Sequence, residues 1–216
     1  MSAPGGGSSR PGRSLRAEIR EGVGWLWRHR LLRDLALLLG LMNLWFFAGF
    51  AVLVLFAQDV LGLDEVGLGL LMTAMAAGAV TAGVLGGRLA ERVGTSKVLW
   101  LGSFGSAFTL LAIAPASDPW IVALAFAATG FAGTTWNVVT VSLRQQMIPD
   151  ELLGRVNSVY RFLGWGGMPV GALIGGLLAG AYGLRAPFYV GGTSLLVVSV
   201  MAAPGFTSAR LRSEGL

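Results

Sequence analysis

Leu35 to Ala57 reads LALLLGLMNLWFFAGFAVLVLFA, 23 residues without a charge. As a helix rising 1.5 Å per residue it would reach about 34 Å, enough to cross the roughly 30 Å hydrocarbon core of a bilayer. Five further stretches have the same character: Val66–Gly87, Val98–Ala116, Trp120–Leu143, Phe162–Tyr182 and Phe188–Phe206. The fifth extends back to Val156 if Arg161 is admitted. One such block fits the buried helix of a large soluble protein, but six in a short chain with little polar sequence between them do not. The blocks are continuously apolar rather than alternating, which argues against a β-barrel. The expected fold class is an all-α integral membrane protein with six transmembrane helices.

Composition agrees. Hydrophobic residues make up 54% of the chain and charged residues 12%, about half the usual quarter. The 33 glycines suit close helix packing in lipid better than a water-soluble core. With no cysteine, disulfides, thiolate zinc sites and cysteine nucleophiles are excluded. A single histidine, His29, excludes His-pair metal sites and most histidine catalysis, and it precedes the first span, so it cannot serve a buried serine there. No G-x-x-x-x-G-K-[ST] phosphate loop is present. No enzyme, metal or cofactor is expected. The net charge of +5 sits between apolar blocks, the pattern of a membrane protein rather than of a nucleic-acid binder.

Cations mark the orientation. Arg10, Arg13, Arg16, Arg20, Arg28, Arg30 and Arg33 precede the first span. Arg88, Arg92 and Lys97 follow the second, Arg144 and Arg155 the fourth, and Arg210 and Arg212 the sixth. The other three connections hold Asp59, Asp64, Glu65 and Asp118, with Arg185 as their one cation. By the positive-inside rule both termini face the cytoplasm of a multi-pass protein of the inner membrane. Residues 1–14 read as a flexible Gly/Ser/Pro/Arg tail, with no apolar stretch ahead of the charge to make a secretory signal. Over residues 15–33 the spacing of Leu15, Ile19, Val23, Leu26 and Trp27 predicts an amphipathic cytoplasmic helix. It either lies on the membrane surface or is a polybasic anchor for the first span. Residues 34–206 form the six-helix domain, and 207–216 a cytoplasmic tail.

Two polar connections are distinctive. Gly86 to Leu99 reads GGRLAERVGTSKVL, a tight turn in which Glu91 can pair with Arg88, with Arg92 or with a helix end. It resembles the loop signature of the major facilitator superfamily, Gly-x-Leu-Ala-Asp-Arg followed by another Gly. Gly87, Leu89, Ala90, Arg92 and Gly94 match it, Glu91 stands where Asp is usual, and Thr95 and Ser96 stand where basic residues are usual. The second, RQQMIPDELLGRVNSVYRFLGWGGMPVGALIGGLLAG from Arg144 to Gly180, resembles the connection between helices ten and eleven in the drug- and siderophore-exporter branch. Gln146, Pro149, Gly154-Arg155-Val156 and Asn157 carry that likeness. Arg20 to Leu38 is similar to the stretch entering helix seven of the same branch. The resemblance implies a C-terminal half, helices seven to twelve, built as two inverted three-helix repeats, although the sequence shows no repeat beyond three spans in each.

For such a half the first and fourth spans would border a substrate cavity. Candidate binding residues are Asn43, Phe46, Phe47 and Phe50 in the first and Thr134 and Asn137 in the fourth, aromatic faces and amides suiting a bulky amphiphile. Lipid or helix contact for the aromatics, and interhelical hydrogen bonding for Thr134, Thr135 and Asn137, are the alternative readings. Met72 and Met75 read as core filling before ligand contact. The candidate gating set is Gly87, Arg88, Glu91, Arg92, Gly94, Arg155 and Arg161. Arg161, the one charge within an apolar stretch, snorkels or pairs with a loop acid, gates the path, or meets an anionic substrate. Gly167, Gly171 and Gly175 form a ladder for close helix approach, and Pro169 adds a bend. No Asp or Glu lies within a span, so a coupling carboxylate would come from elsewhere, in the other half. The expectation is efflux of an amphiphilic small molecule by alternating access, with the lipid bilayer and a second six-helix half or a second copy as partners and no nucleic acid. The alternative is a non-transporting remnant or a membrane scaffold.

Overall fold

The computed structural model describes residues 15–206, and the two expected tails, 1–14 and 207–216, lie outside them. The described residues are helical almost throughout. In order they are α1 (Leu15–Arg28), α2 (Arg30–Leu55) with a π turn at its end (Phe56–Val60), α3 (Glu65–Val93), α4 (Thr95–Ile113), α5 (Pro119–Met147), α6 (Asp150–Tyr182), α7 (Ala186–Ala202) and a 3₁₀ turn (Ala203–Phe206). Five helices, α2 with its π turn and α3 to α6, are long and apolar enough to cross a membrane. The sixth, α7, has 17 residues. That gives about 26 Å of α-helix. Pro204 cannot continue the i→i−4 ladder, and the 3₁₀ turn adds about 8 Å. The sixth apolar block is therefore a shorter helix closed by a 3₁₀ turn, not one α-helix of the length of the other five.

Short connections make successive helices run up and down. The turns use the residues such turns need. Gly94, at φ 90°, is the single residue between α3 and α4, and Gly183, also at φ 90°, ends α6. Asp64 accepts the Gly67 amide at 2.8 Å, and Asp118 accepts the Trp120 amide at 2.8 Å ahead of Pro119. Both carboxylates cap helix N-termini, where the dipole favours a negative charge. The lone cation of that end, Arg185, is structural as well, donating to the Ala114 carbonyl at 2.7 Å and to Ser117 Oγ at 2.8 Å. It thereby satisfies a helix-terminal carbonyl of α4 from the α6–α7 turn.

The two most extensive pairings are not between helices adjacent in sequence. α2 packs along α6 and α3 along α5, while α4 lies between α5 and α7, and α7 also packs on α2. The two long seams are made by glycine against carbonyl. A Cβ at Gly171 would stand 2.2 Å from the Leu44 oxygen, and one at Gly175 2.1 Å from the Ala48 oxygen. Across the other seam, Gly78 meets the Ala127 oxygen and Gly130 the Met75 oxygen, each at 2.0 Å. Gly167 is looser at 3.6 Å from the Gly40 oxygen, and Gly176 and Gly180 face open space. The expected ladder thus narrows to Gly171 and Gly175.

A second kind of contact joins the remaining seams. Gly191 of α7 lies against the indole of Trp45 on α2, and Gly102 of α4 against the indole of Trp136 on α5. Trp45 Nε1 donates to Ser194 Oγ at 2.9 Å. Trp136 Nε1 is buried and finds no hydrogen-bond partner among the described residues.

Helix α1 does not offer its apolar stripe to lipid. Gly22 lies against the backbone of Arg155, Leu26 is fully buried, and the Glu21 carboxylate holds Arg155 Nη1 at 2.8 Å. Trp27, counted from the sequence as part of the stripe, is turned away and 52% exposed. The protein itself takes the apolar face, because the starts of α6 and α2 present one to match. The side chains of Leu15 and Ile19 lie outside the described residues.

If glycine-to-carbonyl contact holds the bundle, Gly78→Val and Gly175→Val each lower the unfolding free energy by about 3 kcal/mol or more, since backbone cannot yield. Gly176→Ala and Gly180→Ala change it by less than about 0.5 kcal/mol. Thermal unfolding in mild detergent distinguishes the two groups.

Candidate functional site

Two places gather the residues that the sequence singled out. The first is a hollow near the Asp64/Asp118 end, where α2, α3, α4, α5 and α7 converge, α4 contributing Leu110 and Ile113. Phe46, Gly49 and Phe50 form its α2 side, Met75 comes from α3, Phe126 and Thr129 from α5, and Phe188 from α7. Phe46 and Phe50 stack at 5.9 Å between ring centroids, and Phe47 meets Phe46 edge-on at 5.2 Å. Phe50 is 47% exposed, so the aromatic ladder opens out of the bundle. The hollow holds about 30 Å³. That is room for a water molecule, against the roughly 300–1,000 Å³ of a small-molecule site. What this chain offers is therefore one aromatic wall, not a closed pocket.

The other candidate binding residues stand apart from the hollow. Asn43 turns its amide back on its own helix, Nδ2 donating to the Leu39 carbonyl at 2.9 Å, beside Gly164 of α6. Thr134 is half-buried and Asn137 exposed, and neither lines the hollow. Thr135 is buried on the α3–α5 seam, where its hydroxyl donates to the Phe131 carbonyl at 2.9 Å and touches Gly86. Phe126 and Thr129 were missed from the sequence. Both lie more than a turn before the polar TTWN stretch, and only knowledge of the α2–α5 approach would have drawn attention there.

The second place is the arginine-rich end. Arg144, at the end of α5, donates to Asn157 Oδ1 of α6 and to the Thr140 carbonyl, each at 3.2 Å. Its guanidinium lies 4.4 Å over the ring of Tyr160. Tyr160, buried, donates its hydroxyl to the Leu32 carbonyl of α2. One cation thus joins α5 to α6, and one phenol joins α6 to α2. Arg155 continues the chain of contacts to Glu21 of α1.

The α3–α4 turn does not join this network. Gly87, Arg88, Glu91 and Arg92 are exposed, and among the described residues Glu91 pairs with neither Arg88 nor Arg92. Gly94 supplies the turn, and the close contact to α5 belongs to Gly86, not Gly87. Arg161 is exposed on α6, as are Phe162 and Trp165, and it has no ion pair among the described residues. Of the readings open for Arg161, pairing with a loop acid is not seen among the described residues. No cluster able to hold a metal ion occurs among the described residues.

A bundle of apolar helices with charge, Arg161 apart, gathered at its ends, glycine-tight seams and an aromatic wall defines a multi-pass membrane protein. Residues 35–214 match the Major Facilitator Superfamily, and the chain belongs to that family, one of membrane transporters rather than enzymes. Among curated proteins it is 30% identical over 148 residues to the multidrug resistance protein MdtH of Yersinia enterocolitica, a match covering 68% of this chain and 36% of that protein. To the MdtH of Yersinia pestis it is 31% identical over 96 residues, 44% of this chain and 24% of the relative. The matched region thus spans about a third or less of the length of these relatives.

The Arg144–Tyr160 contact is open to a direct check. Tyr160→Phe leaves the Leu32 carbonyl without its donor and costs about 1 kcal/mol of stability, and Arg144→Lys loses the planar stack and costs a similar amount. Because the two share one network, the double variant costs less than the sum by at least about 0.5 kcal/mol, measured by unfolding in detergent.

Proposed function

We propose that this chain is the C-terminal half, helices seven to twelve, of an exporter of the drug- and siderophore-exporter branch. It moves an amphiphilic small molecule across the inner membrane by alternating access, together with a second six-helix half or a second copy of itself. Helices α2 to α7 are the six spans, and the arginine-rich end with both termini faces the cytoplasm. The observation that supports the reading is the aromatic wall: Phe46 and the exposed Phe50 stand beside a hollow of about 30 Å³, which we read as half of a binding site. Facing a second half across the midplane would complete it. The multidrug resistance proteins among the relatives suit an apolar, aromatic-lined site of this kind.

The seams support a two-fold internal plan. Exchange α2 with α5, α3 with α6 and α4 with α7, and the packing pattern is unchanged: α2·α6 becomes α5·α3, and α7·α2 becomes α4·α5. The pairs Trp45–Gly191 and Trp136–Gly102 also exchange. This is the relation expected of two inverted three-helix repeats, and it is carried by contacts rather than by sequence likeness. Asn43, Thr134, Asn137 and Arg161 are then second-rank members of the translocation path, behind the phenylalanines. The coupling carboxylate would belong to the other half.

The test begins with the oligomeric state of the tagged chain in mild detergent, with any co-purifying chain identified by mass spectrometry. A homodimer, or a complex with a second six-helix chain, is expected. A monomer that aggregates or is rapidly degraded would sink the transport reading in favour of a remnant. In the assembled transporter Phe46→Ala and Phe50→Ala each raise the half-saturating concentration of a lipophilic drug about three- to ten-fold, read as export from vesicles.

A further inference from the structure

Helix α1 has a face that neither the fold nor transport uses. Its inward side, Gly22 and Leu26, is packed on α6 and the core. At 100° per residue, Arg20, Gly24, Trp27 and Arg28 fall within about 100° of one another on the opposite side. All four are exposed, Trp27 to 52%, and Arg30 is exposed just past the break at His29. The break is held in place by the His29 ring, which stacks on Trp25 at 3.7 Å between centroids and contacts the Trp25 carbonyl through Nδ1 at 2.9 Å. Of the acids flanking this face in the chain, Glu21 is on Arg155 and Asp34 is on Arg33 at 3.0 Å. Among the described residues, Arg20, Arg28 and Arg30 have no ion pair.

We infer that this outward face of α1 binds the headgroups of anionic phospholipids. Three guanidiniums without an ion pair among the described residues offer bidentate donors to phosphate. The exposed indole beside them has the amphipathic character that sits at headgroup depth, which argues for a lipid surface over a soluble polyanion. Helix α1 also meets the ends of α2 and α6 where their charged segments give way to apolar ones, so its outward face lies at the level of the interface. Because Gly22 and Glu21 fasten the other side of α1 to Arg155, the lipid is held against the start of α6 rather than on a loose tail. In the proposed orientation these are lipids of the cytoplasmic leaflet. The inference requires only that the bundle sit in a bilayer, and it is independent of transport.

The chain has no cysteine, so a single nitroxide can be placed at will. Gly24 suits it, being on the outward face with nothing within 4 Å of an added Cβ. The labelled Gly24→Cys chain is reconstituted in vesicles of phosphatidylcholine alone, and of phosphatidylcholine with phosphatidylglycerol in both leaflets. Accessibility to a water-soluble nickel chelate is read by electron paramagnetic resonance. With phosphatidylglycerol, accessibility is expected to fall about five-fold or more, the fold-change corresponding to one arginine held near an anionic surface. High salt restores it without any substitution, as does the triple variant Arg20→Gln, Arg28→Gln, Arg30→Gln. Equal accessibility in the two lipids would overturn the inference. So would a fall that survives both salt and the triple variant, or one that appears only when a soluble polyanion such as heparin is added. Failure of the transport test leaves all these readings unchanged.

Discussion

Four backbone carbonyl oxygens, those of Leu44, Ala48, Met75 and Ala127, lie where a side chain of any residue but glycine would stand. In lipid there is no hydrophobic force to press one apolar helix on another, so association depends on close packing over long seams. Each of these contacts lets two backbones approach until dispersion acts along their whole length. The α2–α6 and α3–α5 pairs are built this way, and the positions of α4 and α7 follow from them. The aromatic wall of α2 stands across a hollow from Met75 of α3 and Phe126 and Thr129 of α5, between those seams.

This constraint also explains what the sequence disclosed. Span number, span limits and the sorting of cations to one end are properties of composition, and lipid leaves few ways to satisfy them. Which glycine matters is a property of rotation about the helix axis. Gly171 and Gly176 are near neighbours in one Gly-rich run, yet one touches a carbonyl and the other faces open space. Arg185 looked like an exception to the charge rule, and only its bond to Ala114, a residue 71 positions away, accounts for it.

The site was legible to a lesser degree for the same reason. The aromatic run on α2 announced itself, and Phe46 and Phe50 line the hollow. Asn43 was a candidate because an amide in a span seeks a partner, but the nearest partner is its own helix. A side chain that can bond four residues back is silent about what lies across the seam. Phe126 and Thr129 carried no signal of their own, since their role comes from facing α2. At the arginine-rich end the reading reversed: Arg161 drew notice by standing inside an apolar stretch, whereas the network forms around Arg144 and Tyr160.

The two buried indoles are fastened unequally. Trp45 is tied to Ser194, while Trp136 keeps an idle N–H although its ring is wedged against Gly102 just as tightly. Sliding α7 along α2 must therefore break a hydrogen bond in a medium with no water to replace it. Sliding α4 along α5 breaks none at the indole. At its indoles the bundle has a latched side and an unlatched side.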